Sequence, residues 1–179
     1  MYQTASVELF TRYPNTIFIE SGSFIGDGIQ CALDAGFKTI YSIELEDNLY
    51  LRCVERFKDK NIHLIHGDST EVLDSLLSDI DVPVTFWLDG HSSGTDPDTG
   101  IVTTFGKYKS PILQELDIIQ RHHIKTHTIL IDDLRLWSIA EYGFDTKTIM
   151  EKCLQINPRY EFTFEDGYVK NDILVAWIW

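Results

Sequence analysis

The chain has 179 residues, with 15 Lys and Arg against 28 Asp and Glu, for a formal charge of −13. That length suits one domain with a sizeable core, spanning 1–179, and leaves too little chain for two. The acidic balance repels phosphate backbones and anionic bilayers, so nucleic acid and membrane surfaces are disfavoured as partners. A composition of 44% hydrophobic and 24% charged residues excludes disorder as the main theme.

The start, MYQTASVELFTRYPN, lacks a basic stretch followed by an apolar one, and no apolar run approaches the roughly 18–20 residues that span a bilayer. The chain therefore reads as cytoplasmic. Cys31, Cys53 and Cys153 are odd in number, widely spaced and set on helix faces, which fits buried free thiols rather than a disulfide or zinc framework.

Short β-branched runs alternate with segments of helical period, so the reading is an α/β domain with a mostly parallel sheet. Thr16–Glu20 is a first strand, and Ile25, Ile29, Ala32 and Leu33 stripe a helix that closes near Gly36. Thr39–Leu45 is the second strand, followed by a helix striped by Leu49, Cys53 and Phe57. Ile62–His66 is the third strand, and Val72, Leu73, Leu76 and Leu77 mark a short helix. Val84–Leu88 is the fourth strand. After a long irregular segment, Ile112, Leu116 and Ile119 stripe a helix, and Thr128–Ile131 is the fifth strand. Ile149, Cys153 and Ile156 mark a last helix. Tyr160–Phe164 and Ile173–Ile178 then form a terminal hairpin around EDGYVKND.

The first turn, Glu20-Ser-Gly22-Ser-Phe-Ile-Gly26-Asp-Gly28, lies between a strand and a helix, where glycines let backbone approach a ligand and helix N–H groups face it. Close strand–helix packing also calls for glycine there. Glu44 ends the second strand about 20 residues later, where a carboxylate can accept both ribose hydroxyls. A nicotinamide dinucleotide would want G-x-G-x-x-G, and Glu20 would repel its pyrophosphate. A cofactor carrying an ammonium and a sulfonium suits the acid better.

With these residues, with His66-Gly-Asp68-Ser69 after the third strand and Trp87-Leu-Asp89-Gly-His91 after the fourth, the sequence resembles the class I S-adenosylmethionine-dependent methyltransferases. The resemblance covers essentially the whole chain. It implies a Rossmann-like, seven-stranded, mostly parallel sheet with a C-terminal antiparallel hairpin and helices on both faces. It further implies that Glu20, Ser21, Gly22, Ser23, Phe24 and Gly26 surround the methionine part of S-adenosylmethionine. Glu44 and Leu45 would meet the ribose, Asp68 and Ser69 the adenine edge, and Asp89 the far side of the cofactor. Asp68 is equally an N-cap for the helix that follows.

Asp132-Asp133 at the fifth strand's end places two carboxylates side by side, which costs energy unless a cation or donors compensate. With Asp89 they would make an oxygen set suited to Mg²⁺ or Mn²⁺. This resembles the metal-dependent O-methyltransferases of the catechol and macrolide-sugar types. In the sugar type a histidine just after the first ligand is the general base, which nominates His91, although its spacing from Asp89 is one residue short. Metal coordination would acidify a sugar hydroxyl that a histidine of pKa about 6.5 could not deprotonate alone. The alternative has Asp132 capping a turn, Asp133 pairing with Arg135, and His91 solvated.

The expected acceptor is a small molecule or glycan with a vicinal diol. Little chain precedes the first strand, so the site is either open to a glycan end or belongs to a domain cut from a larger glycan-building enzyme. Ser92–Ser110 reads as a substrate lid or as a plain surface loop, and its DPDTG is not a calcium loop. Trp137, Tyr142, Tyr108 and Phe105 could stack on a sugar or belong to the core, and Trp87 is assigned to the core. No chemistry is assigned to His63, His66, His122, His123 or His127. The rival functions are a non-catalytic cofactor-binding module and an NAD-dependent oxidoreductase.

Overall fold

The computed structural model describes residues 4–92, 100, 102, 103 and 105–179. Seven strands form one sheet in the order β3-β2-β1-β4-β5-β7-β6. They are β1 (Ile17–Ser21), β2 (Thr39–Glu44), β3 (His63–His66), β4 (Val84–Leu88), β5 (Thr128–Ile131), β6 (Glu161–Glu165) and β7 (Ile173–Trp177). The first five are parallel, and β7 pairs antiparallel with both β5 and β6. The seven expected strands and the terminal hairpin are all present, with ends shifted by a residue or two.

Every residue of β4 is buried, as a central strand covered on both faces requires. Its side chains alternate. Val84, Phe86 and Leu88 point into one core with Leu73 and Leu77 of α4 (Ser69–Ser78), Ile112, Leu116 and Ile119 of α5 (Ile112–Arg121), and Ile149, Cys153 and Ile156 of α7 (Thr146–Ile156). Trp87 points into the other, with Leu9 and Phe10 of α1 (Val7–Arg12), Ile29 and Ala32 of α2 (Asp27–Ala35), and Cys53 of α3 (Asp47–Arg56). Period-2 strands and period-3.6 helices thus meet on both faces. Cys31, Cys53 and Cys153 are buried and not joined in a disulfide with one another. No helix among the described residues is long and apolar enough to cross a membrane.

Three short elements were not expected: α1, a 3₁₀ turn at Leu134–Leu136, and α6 (Ile139–Tyr142). None is long enough to show a repeat. In α1, Ser6 caps the amide of Leu9, while Phe10 packs on Phe18 and Trp87. Tertiary contact therefore holds a helix that its length would not.

At the sheet edge away from the loops following β1 and β4, His127 and His122 form a buried neutral chain. The Val84 amide donates to His127 Nδ1 at 3.1 Å, which leaves the proton on Nε2. That nitrogen lies 2.9 Å from His122 Nδ1, and His122 Nε2 lies 2.9 Å from the Ile80 carbonyl. Burial lowers both pKa values, that of His127 to about 3. These histidines link the Val84 amide to the Ile80 carbonyl inside the fold.

Candidate active site

The strand order reverses between β1 and β4, so the loops that follow them part and open a crevice at the strands' carboxyl ends. A cavity of about 350 Å³ fills it. Its first wall is the β1–α2 turn. Gly22 has φ 85, and a Cβ there would lie 2.7 Å from the Asp89 carbonyl oxygen, so only glycine lets this turn touch the end of β4. The amides of Gly22 and Ser23 both donate to the Ile43 carbonyl, at 3.0 and 3.3 Å, which ties the turn to β2. Gly22, Ser23 and Phe24 line the cavity; Ser21 and Gly26 lie behind its wall. Ser21 backs onto Gly90, and Gly26 is held to glycine by the Phe57 ring, 2.5 Å from where its Cβ would be.

Glu20 lines the cavity yet is only 1% exposed. Its Oε2 accepts from Ser42 Oγ at 2.5 Å, and Ser42 Oγ is 2.5 Å from Ser23 Oγ. Burial, with Asp89 and Glu44 nearby, outweighs that hydrogen bond and pushes its pKa to about 8. Glu20 therefore holds a proton at neutral pH and offers a ligand a neutral carboxyl rather than a full charge. Its bulk also explains Gly28, where a Cβ would sit 1.9 Å from Glu20 Oε1.

Glu44 and Leu45 line the next part of the wall. Glu44 Oε2 accepts the Phe24 amide at 2.8 Å and Oε1 the Glu46 amide at 2.9 Å. Burial raises its pKa, while these amides favour the charged form. Each oxygen keeps a second lone pair for a hydroxyl. Asp68 and Ser69 follow. Asp68 is the N-cap of α4: its Oδ1 accepts from the amide and hydroxyl of Thr70 at 2.9 and 2.7 Å. Its Oδ2 accepts the Lys107 amide at 3.1 Å, drawing the loop after β4 against α4. Burial works to raise its pKa, but the Thr70 hydroxyl and the two amides override it and leave it lowered.

The far end of the cavity is acidic. His91, whose side chain is 4% exposed, sits between Asp133 Oδ2, 3.0 Å from its Nε2, and Asp89 Oδ1, 3.4 Å from its Nδ1. Burial lowers the imidazole pKa, but the two carboxylates more than reverse this and carry it to about 10. The histidine expected as general base is thus clasped rather than solvated, and in this state it is an imidazolium rather than a ready base.

Asp133 has φ 62, and Arg135 bridges it to Asp172. Burial works against the Asp133 charge, but His91 and Arg135 prevail, and its pKa is lowered. Asp132 is 1% exposed; burial, then Asp89 and Asp133, raise its pKa to about 8. The ligand atoms of Asp89, His91 and Asp133 lie within 4.8 Å of one another, and so do those of Asp132, Asp133 and Asp172. The expected Asp89, Asp132, Asp133 triple is split between these two groups. The reason is local: Asp132 Oδ1 is turned back onto the Asp133 amide at 2.7 Å. The donor chemistry fits a hard divalent cation. Among the described residues four carboxylates converge here, with Arg135 and His91 paired to them.

Phe105, 61% exposed, and Tyr108 also line the cavity, together with Tyr168, Lys109 and Arg135. Trp137 stacks on Phe144 and meets Tyr142 edge-on, so it belongs to the core. Trp87 packs in the core and also touches the cavity floor. The DPDTG stretch at 96–100 lies outside the described residues, apart from Gly100.

No protein-family model matches the sequence, and no curated protein matches it. Solved structures do match. The O-methyltransferase of Bacillus cereus, solved with S-adenosylhomocysteine, aligns with 95% of this chain and 77% of its own at TM-score 0.63 and 9% identity. A Klebsiella pneumoniae protein provisionally described as an O-methyltransferase aligns with 96% of this chain and 76% of its own at TM-score 0.58 and 16% identity. An rRNA methylase of Streptococcus thermophilus aligns with 99% and 90% at TM-score 0.52 and 14% identity. This is the class I methyltransferase fold.

Several residues of this methyltransferase-fold cavity escaped the sequence reading: Tyr168, Gly106, and Thr4 with Ala5 near the N-terminus; so did Asp172 and Lys107, which act from beside it, whereas Arg135 was read only as a partner of Asp133. For Asp172 and Tyr168 a signal was available. An antiparallel return beside β5 brings the start of β7, and the turn before it, to the same edge as Asp132 and Asp133. Nothing in the sequence signalled that Lys107 would reach Asp68.

Proposed function

We propose that this protein is an S-adenosylmethionine-dependent O-methyltransferase, with 1–179 acting as one methyltransferase domain on a hydroxyl of a sugar or other small polar diol. The observation that supports it is one continuous cavity. It runs from the Gly22 turn and Glu44, past Asp68, to the Asp89, His91, Asp132 and Asp133 cluster. Gly22, Ser23 and Phe24 would contact the methionine part, Glu44 the ribose, and Asp68 with Ser69 the adenine edge. The hydroxyl oxygen attacks the methyl carbon, the carbon–sulfur bond breaks with its electron pair going to sulfur, and S-adenosylhomocysteine leaves.

Asp133, common to both groups of ligand atoms, would hold Mg²⁺ or Mn²⁺ together with Asp89 or, once its side chain is released from the Asp133 amide, Asp132; the cation would acidify a hydroxyl and stabilise the developing alkoxide. The chain's own task is to receive the proton; His91, 3.0 Å from Asp133, would take it only after giving up the proton it already holds. Phe105, Tyr108 and Tyr168 offer apolar faces to a ring-bearing acceptor. The −13 charge supports a small acceptor over nucleic acid or a membrane surface.

Calorimetry tests this in two steps: S-adenosylhomocysteine into the protein, then Mn²⁺ or Mg²⁺ into the saturated complex. One cofactor site, and one cation site lost in Asp132→Ala, is the expected result, with methyl transfer to vicinal diols following. Tighter binding of NAD than of S-adenosylhomocysteine overturns the whole reading. Cofactor binding without a cation site removes the metal-assisted part and moves the acceptor search to more acidic hydroxyls.

A further inference from the structure

The backbone after β5 makes an unusual turn. Asp133 takes a left-handed conformation that residues with a Cβ rarely adopt, and such a turn persists only where its surroundings over-determine it. Part of the hold is local. Asp132 Oδ1 accepts the Asp133 amide, the Asp133 carbonyl accepts the Leu136 amide at 2.8 Å, and the Trp137 indole donates to the Asp132 carbonyl at 3.2 Å.

The rest comes from the other end of the chain. Asp172, immediately before β7 and 1% exposed, grips the turn at three points. Its carbonyl accepts the Leu134 amide at 2.9 Å, its Oδ1 accepts the Arg135 amide at 2.9 Å, and its Oδ2 meets the Arg135 guanidinium. The same guanidinium reaches Asp133 Oδ1 and lies under the Tyr168 ring, 4.6 Å from its centre. All the hydrogen bonds of the Asp172 carboxylate among the described residues go to Arg135.

We propose that Asp172 is a positioning residue of the acid cluster. It fixes the 132–135 turn so that Asp132 and Asp133 face the cavity, and it shares Arg135 Nη1 with Asp133, which keeps the guanidinium on Asp133 Oδ1 and leaves Oδ2 to His91 and to a cation. Its effect on cation binding rests on the function proposed above; its hold on the turn does not.

The test compares Asp172→Ala and Asp172→Asn with the wild-type chain. Hydrogen exchange by NMR reads the amides of Asp133, Leu134 and Arg135 against those of Ile131 and Leu174. Calorimetry reads S-adenosylhomocysteine and Mn²⁺ affinity. In Asp172→Ala the Arg135 amide should exchange at least about tenfold faster while Ile131 and Leu174 hold. Mn²⁺ affinity should fall about 10- to 100-fold, the usual cost of losing a group that orients a ligand. Cofactor affinity should stay near wild type. Asp172→Asn keeps an oxygen for the Arg135 amide and should restore its protection, which also covers the case in which the alanine variant does not fold.

Exchange losses spread evenly over β5 and β7, with cofactor affinity falling in parallel, would make Asp172 a general fold residue and overturn the proposal. Mn²⁺ affinity lost with the Arg135 amide unchanged would make Asp172 a ligand instead, and also overturn it. A wild-type chain that binds no Mn²⁺ but whose Arg135 amide still responds ends the metal reading and leaves the positioning role standing.

Discussion

Gly22→Ala is the substitution whose consequence the geometry states most sharply. Two costs combine. A left-handed conformation is worth about 1–2 kcal/mol to a residue with a Cβ, and Gly22 has φ 85. The added methyl would also lie 2.7 Å from the Asp89 carbonyl oxygen and 3.0 Å from its carbon, both backbone atoms at the end of β4 that cannot swing aside. Forcing such an overlap typically adds about 1–3 kcal/mol. The sum is roughly 2–5 kcal/mol, a large part of the 5–15 kcal/mol that commonly separates folded from unfolded states.

Gly36→Ala supplies the control. Gly36 has φ 90, and nothing lies within 4 Å of a Cβ built there, so only the conformational cost of about 1–2 kcal/mol applies. Urea unfolding of both variants, with S-adenosylhomocysteine calorimetry on each, separates strain from contact. The expected outcome is a Gly22→Ala variant at least about 1 kcal/mol less stable than Gly36→Ala and alone in losing cofactor affinity. Equal destabilisation, with cofactor affinity kept in both, would refute the idea that close approach of the β1 turn to β4 shapes the cavity.

Glu44→Ala removes a carboxylate that holds the amides of Phe24 and Glu46 and lines the cavity. Charge-assisted hydrogen bonds of about 1.5–3 kcal/mol translate to a loss of roughly 10- to 150-fold in S-adenosylhomocysteine affinity, and unchanged affinity would end its ribose role. The His122–His127 chain predicts a pH effect of definite sign. The folded His127 pKa is lowered to about 3, so the unfolded chain binds the extra proton below about pH 6.5. Its contribution is complete above pH 6.5 and declines as pH falls toward 3. From pH 7 to pH 5 that loss is about 2 kcal/mol. Glu20, Glu115 and Asp132, with raised pKa values, respond in the opposite sense, so the wild-type profile alone does not isolate the effect. In urea titrations at the two pH values, the stability difference between wild type and His127→Gln should move by that amount in the variant's favour; a constant difference would contradict the neutral-histidine assignment.

Strand and helix identity came from pattern. The runs at 84–88 and 128–131 are strands because their β-branched and aromatic side chains fill both faces of a covered sheet, and the stripes at 112–119 and 149–156 are helices because apolar residues recur each turn. Such repeats are properties of neighbouring residues, so sequence by itself determined the seven strands, the terminal hairpin, the glycine turn and the positions of Glu44, Asp68, Asp89 and Asp132-Asp133. Contacts between distant segments carry no repeat. Tertiary structure alone decided that Glu20 is sealed in and keeps its proton, that His91 is clamped between Asp89 and Asp133, and that the Lys107 amide reaches Asp68. It alone decided that Asp172 turns Arg135 into the counter-ion of Asp133. The ionisation of these groups depends on burial and on charges some 3 Å away through space, and only the folded chain sets those distances.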